Sequence, residues 1–290
     1  MGILDSFGRL FGQAPQTALD PRLARTIAII DPRLENLADV ETTLLPPLEE
    51  ALAYYERTLA ILPGPVPLDE TSATLARLFP APDDIQACLG RSMEVKQRLP
   101  ELQAAGHARL WALLGLRSRA QAGGSHAVFT DHTLRSLAAS PAGVREALRD
   151  AAWEGLVMAF VNQTQYQQQK LELMRSQKEL LQEVAPSSRV RVSGVSQSID
   201  AHISRANKDL APERVLHNLV EWLGNPEPFL RIENRTGLTL QDGKGTPLLH
   251  LPLLSSQDRR QWLVCLVEFP LEMAAAALER ESHTHRFIMI

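Results

Sequence analysis

The stretch RQWLVCLVEF, Arg260–Phe269, is the most strand-like segment of the sequence. At its centre, residues 262–267 form an unbroken apolar run between polar neighbours. Such a run is typical of a strand that is buried on both faces of a sheet. The sequence therefore predicts a central strand at Arg260–Phe269.

The segments on either side of this strand complete a small domain. Upstream, residues 229–254 alternate between apolar and polar side chains, with turn sequences at 235–237 and 242–245. Residues 213–224 and 270–281 have helical patterns, and the last five residues, RFIMI, suggest a final strand. We expect an α+β domain over residues 213–290, with an antiparallel sheet covered by one or two helices.

The preceding part of the chain has the spacing of helices. The pairs Asp20-Pro21 and Asp31-Pro32 place a capping residue before proline at a first helical position. An amphipathic helix is predicted over 48–62, and another helix from Pro100 to about Leu116. The fold class expected is mainly α, a multi-helix body over residues 17–185 with one long helix, joined to the C-terminal α+β domain. The serine-rich residues 186–212 are interpreted as a linker.

The long helix, predicted over about 140–184, changes character along its length. Its second half begins with the uncharged stretch NQTQYQQQ, and Tyr166, Leu173 and Leu180 follow at seven-residue intervals. Seven-residue spacing of apolar side chains is typical of a helix that pairs with another in a coiled coil. These three residues are predicted to form an interaction surface.

The first fifteen residues, MGILDSFGRLFGQAP, form a separate amphipathic segment. On a helix they align five apolar side chains on one stripe: Ile3, Leu4, Phe7, Leu10 and Phe11. Burying this stripe gives about as much free energy as ordering the segment costs, roughly 10 kcal/mol each way. We expect the segment to dock on a partner, on a bilayer or on the protein's own body. Residues 1–6 also fit the pattern for acylation of Gly2, which is a short and unspecific signal.

Composition narrows the class of protein. The net charge of −4 argues against nucleic acid as a partner. The two cysteines, Cys88 and Cys265, lack the spacing of a metal or redox motif, so they are expected to be buried thiols. With no apolar run long enough for a membrane span and no secretory signal pattern, we expect a cytoplasmic protein whose membrane contact, if it has one, is peripheral.

The sequence contains few recognisable catalytic or cofactor-binding motifs. The sequence has no nucleophile elbow, no phosphate-binding loop of the standard spacing and no HExxH motif, so no cofactor is predicted. One weak metal candidate is Glu279 with His283 and His285, since alternate histidines share a face of a strand. The leading hypothesis is a non-enzymatic scaffold that binds itself or a protein partner. The alternative is an enzyme with a pocket between the helical body and the sheet, with His250 and Glu268 as further candidates.

Overall fold

The computed structural model describes residues 21–69, 72–119, 128–184, 189–256 and 260–286. Within these residues the chain divides into two compact units. The helical unit comprises the described residues up to Leu48 together with Phe160–Glu221, and the sheet unit comprises those in Glu49–Ala159 and from Trp222 onward.

The helical unit begins with α1 (Pro21–Ile30) and a short 3-10 helix (Pro32–Asn36). The carboxylate of Asp31 caps that 3-10 helix by accepting the backbone N–H of Arg33 at 3.0 Å, as the Asp-Pro start signal predicts. The unit also contains the first part of α2 (Val40–Leu59), the end of α6 (Pro141–Val184), α7 (Arg189–Asp209) and most of α8 (Pro212–Leu223).

The predicted linker over 186–212 is wrong for most of its length, because α7 spans Arg189–Asp209. This helix is held to the end of α6 by polar contacts. Arg175 Nη2 donates to Asn207 Oδ1 at 2.9 Å, and Lys178 Nζ lies 2.6 Å from Asp200 Oδ1. Since a higher number on α6 meets a lower number on α7, the two helices are antiparallel. A helix that buries few side chains has no strong apolar period, so its sequence resembles a loop.

The described residues of the sheet unit form a six-stranded sheet, in which the third, second, sixth, fifth and fourth strands of the chain lie side by side in that order and the first pairs with the sixth. Its strands are β1 (Val66–Pro67), β2 (Arg109–Arg119), β3 (Val128–Ala138), β4 (Leu230–Gln241), β5 (Pro247–Ser256) and β6 (Gln261–Pro270). All pairings are antiparallel except that of β1 with β6. One edge of β6 is shared, since β5 pairs with its beginning (Leu253↔Leu263) and β1 with its end (Val66↔Val267).

The predicted fold class is confirmed in outline: the chain is mainly helical, has one long helix of 44 residues, and carries an antiparallel sheet. Strands β4, β5 and β6 lie in the C-terminal part, as expected. The predicted helix from Pro100 to Leu116 is wrong beyond Ala104, because α5 (Met93–Ala104) ends there and strand β2 begins at Arg109. Strands β2 and β3 therefore join the sheet from the part of the chain that was expected to be helical. The run LWALLGL in β2 is apolar throughout, and an apolar run does not distinguish a buried strand from a buried helix.

Helices cover both faces of the sheet. One face carries Leu114, Cys265 and Phe269 and packs against α3 (Ala73–Leu78), α4 (Pro82–Arg91), α5 and α9 (Leu271–Arg286). The other carries Val264 and Leu266 and packs against the end of α2 and the beginning of α6. Residues 263–267 are all buried, which confirms the prediction of a strand covered on both sides.

Candidate functional site

The end of α6 presents three large apolar side chains to solvent. Tyr166 is 66% exposed, Leu173 60% and Leu180 57%. We call these three residues the α6 stripe. They are the residues that the seven-residue spacing singled out, and they extend over fourteen positions, or about 21 Å at 1.5 Å per residue.

The packing of the helical unit explains why this stripe faces outward. On a helix with about 100° between residues, the stripe lies roughly opposite Arg175 and Lys178, which bond to α7. Leu171 lies on the same side as Arg175 and Lys178 and is 5% exposed. The side of α6 that packs inward is thus fixed by Leu171 and the contacts to α7, which leaves the stripe without cover from α7.

The surroundings of the stripe are polar but carry little charge. Residues 162–169 contain no ionisable group except the phenol of Tyr166. Further along, Lys170 and Glu172 flank the stripe on opposite sides, and Glu179 lies on the same side as Glu172. In a coiled coil this apolar line supplies one of the two core positions of each heptad, and the other position is occupied by Gln169, Ser176 and Glu183.

The other interaction segment lies outside the described residues. The structure gives no placement for Ile3, Leu4, Phe7, Leu10 or Phe11, so the role of this stripe stays a prediction.

The metal prediction loses its geometric basis. It assumed that His283 and His285 alternate along a strand, but α9 continues to Arg286, so the backbone there is helical. Glu279 lies on the same helix and is exposed. Among the side chains that the structure describes, no three of the His, Cys, Asp and Glu groups come close enough to hold a metal ion.

The two further enzyme candidates are held by local structural contacts. His250 lies against an irregular part of β4, where Nε2 donates to the carbonyl of Asn234 at 2.7 Å. In the neutral ring Nδ1 then accepts from the hydroxyl of Thr239 at 2.9 Å, so both nitrogens are engaged. Glu268 forms an ion pair with Arg109.

The two thiols are buried in the sheet unit. Burial raises the pKa of Cys88 and of Cys265 to about 12 each. A thiol with so high a pKa supplies almost no thiolate near neutral pH, and thiolate is the reactive form. Both cysteines act as small hydrophobic core residues, as the sequence predicts.

Sequence reasoning missed the contacts that orient the stripe. Arg175, Lys178, Asp200 and Asn207 are ordinary polar residues in the sequence, and nothing in their spacing pairs one helix with the other. Only the opposite charges of Lys178 and Asp200 could have suggested it, and many other pairs in the chain share that property.

Comparison with protein-family models, with curated proteins and with solved structures gives no match at the level of significance applied. Among the described residues, no helix has the length and apolar character needed to cross a bilayer.

Proposed function

We propose that this protein is an assembly protein that pairs with a second copy of itself through the α6 stripe, without catalysing a reaction. The observation that carries the proposal is the exposure of Tyr166, Leu173 and Leu180, each more than half open to solvent at seven-residue spacing. Single exposed apolar residues are ordinary on a protein surface, but an aligned row of them is typical of a contact surface.

The energy of this contact suits a reversible pair. Complete burial of a large apolar side chain gives about 1.5–3 kcal/mol, so six such half-exposed side chains in two copies give roughly 5–10 kcal/mol. Lost rigid-body freedom costs at least about 4 kcal/mol. At this lowest cost the gain and the cost nearly balance, so the extent of association should depend on protein concentration.

The charges that flank the stripe fit a parallel pair in register. With the stripe at the first position of each heptad, Gln165 lies beside Lys170 of the other copy, and Glu172 lies beside Gln177. These flanking pairs bring no like charges together, and Glu183, which meets its own counterpart at the end of the helix, is the one unfavourable contact. An antiparallel pair would instead place Glu172 and Glu179 against the same glutamates of the second copy, which is unfavourable.

Disulfide trapping tests the partner and the orientation together. Ser176 lies three positions after Leu173 on the exposed side of α6, so in a parallel, in-register pair it meets its own counterpart. We expect a Ser176→Cys variant to form a covalent dimer under mild oxidation, resolved on a non-reducing gel. Cys88 and Cys265 are buried and should stay reduced.

The matched control is Gln167→Cys, an exposed position of the same helix that points away from the stripe. It should give little covalent dimer. Equal trapping at the two positions, or none at Ser176, would reject the parallel pair.

We also propose, from the sequence pattern of residues 3–11, that the N-terminal segment makes a weak peripheral contact with membranes. Because Asp5 and Arg9 cancel, full-length protein should float with neutral vesicles as well as with anionic ones. A variant lacking residues 1–15 should remain at the bottom of the gradient. Equal flotation of the two proteins would show that the segment is not the contact.

A further inference from the structure

The sheet unit contains a cavity of about 330 Å³ between the sheet and the beginning of α6. Small residues on both sides create it. Gly115 in β2 has no side chain over the sheet, and the facing turn of α6 carries Ala151 and Ala152. A Cβ atom at Gly115 would lie 2.9 Å from Cγ2 of Thr133 and 3.4 Å from the ring of Trp262. A larger residue at this position would therefore crowd both side chains.

The interior of the cavity is apolar. Its lining includes Leu113, Leu148 and the ring of Trp262. The guanidinium of Arg117 lies 4.5 Å from the centre of that ring, a cation–π contact that helps to hold the indole in place. Aromatic and aliphatic walls of this kind bind the hydrocarbon part of a small ligand.

A cation lies at a strand position that faces the cavity. Arg135 pairs with Leu113 across strands β3 and β2, on the face of the sheet that packs against α6. Ser136 follows with φ of 56°, at a β-bulge that returns Leu137 to the opposite core. The bulge ends the regular alternation directly after Arg135, which remains exposed at the cavity.

The charged side chains that the structure describes in the lining are two arginines. Arg135 and Arg260 line the cavity, and none of the other described lining residues is an aspartate or glutamate. Among the described residues no carboxylate forms an ion pair with Arg135. The guanidinium of Arg135 beside an apolar space matches a ligand that carries a carboxylate at one end.

We propose that this cavity binds a small organic anion, a carboxylate with a compact hydrocarbon body, whose charged end pairs with Arg135. At about 30 Å³ for each water-sized group, 330 Å³ holds roughly 11 non-hydrogen atoms. A medium-chain carboxylate such as octanoate has this size. The site is independent of the α6 stripe, since every residue that lines it belongs to the sheet unit.

Calorimetric titration of the full-length protein with octanoate, below its micelle-forming concentration, tests the proposal. We expect one molecule to bind per chain, octanol to bind at least about tenfold more weakly and octylamine not to bind. Titration with octyl phosphate distinguishes a site for a carboxylate from a site for a phosphate. If it bound more tightly than octanoate, the carboxylate assignment would be overturned.

Three variants locate the binding. Arg135→Gln should weaken the binding of octanoate by about tenfold and leave the binding of octanol unchanged, because the substitution removes only the charge. Ala152→Leu fills the space from the helix side and should abolish binding of both compounds without lowering the melting temperature. Arg91→Gln, an exposed arginine of α4 in the same unit, is the charge-matched control and should bind like the wild type. Absence of octanoate binding to the wild type, or equal effects of the two arginine variants, would overturn the proposal.

Discussion

Replacing Phe269 with alanine is expected to lower the free energy of unfolding of the sheet unit by roughly 3–5 kcal/mol. Phe269 is fully buried near the end of β6 and belongs to the core between the sheet and α9. The substitution removes most of the side chain and leaves a cavity that its neighbours on two layers can fill only in part. Since small domains have about 5–15 kcal/mol of stability in total, the variant would be close to unfolding.

Tryptophan fluorescence during urea denaturation measures this change. All four tryptophans, Trp111, Trp153, Trp222 and Trp262, are assigned to the sheet unit, so their emission reports mainly on that unit. The control is Ile61→Ala, because Ile61 is in the same unit and is 45% exposed. This substitution should lower the free energy of unfolding by less than about 1 kcal/mol. Equal shifts of the two midpoints would contradict the assignment of Arg260–Phe269 to the centre of the fold.

The sequence predicts those parts of the fold whose structure depends only on residues that are close together in the sequence. The apolar run at 262–267 is only six residues long and lies between the polar residues Gln261 and Glu268, which fits a buried strand better than a buried helix. The turn after β4 is equally local, since the carboxylate of Asp242 accepts the backbone N–H groups of Lys244 and Thr246 at 2.7 and 2.8 Å. Neither feature depends on residues that are distant in the sequence.

Other parts of the fold depend on partners that one sequence does not reveal. Strand β2 is apolar on both sides because helices cover both faces of the sheet, and this pattern also fits a buried helix. Helix α7 has little apolar period because it is held largely by polar contacts. In both cases the neighbour in space, and not the local pattern, decides the structure.

The two proposed sites also differ in how far the sequence alone predicts them. The spacing of Tyr166, Leu173 and Leu180 is visible in the sequence, but their exposure follows from the side of α6 that faces α7. The cavity has no local signal at all. Gly115 and Arg135 lie on neighbouring strands and Ala152 on a helix, and only the fold brings them together.

The α6 stripe carries the largest predicted effect on assembly. In a parallel pair Leu173 meets its counterpart, so Leu173→Glu removes apolar contact and brings two like charges together. We expect association to weaken by at least about 100-fold, or close to 3 kcal/mol. The change should not unfold the helix, because Leu173 is 60% exposed and glutamate has a helix propensity similar to that of leucine.

The matched control introduces the same charge elsewhere on the helical unit. Val195 on α7 is 52% exposed and lies outside the stripe. Val195→Glu should therefore associate like the wild type, and circular dichroism should show the same helix content in all three proteins.

Sedimentation equilibrium over a wide concentration range is the most direct measurement of self-association. The account predicts that the average mass of the wild type and of Val195→Glu rises from the monomer value of 32.1 kDa toward twice that value as concentration increases. Leu173→Glu should remain at the monomer mass throughout. A wild type that stays monomeric at every concentration, or a Leu173→Glu variant that associates as strongly as the wild type, would contradict the proposal.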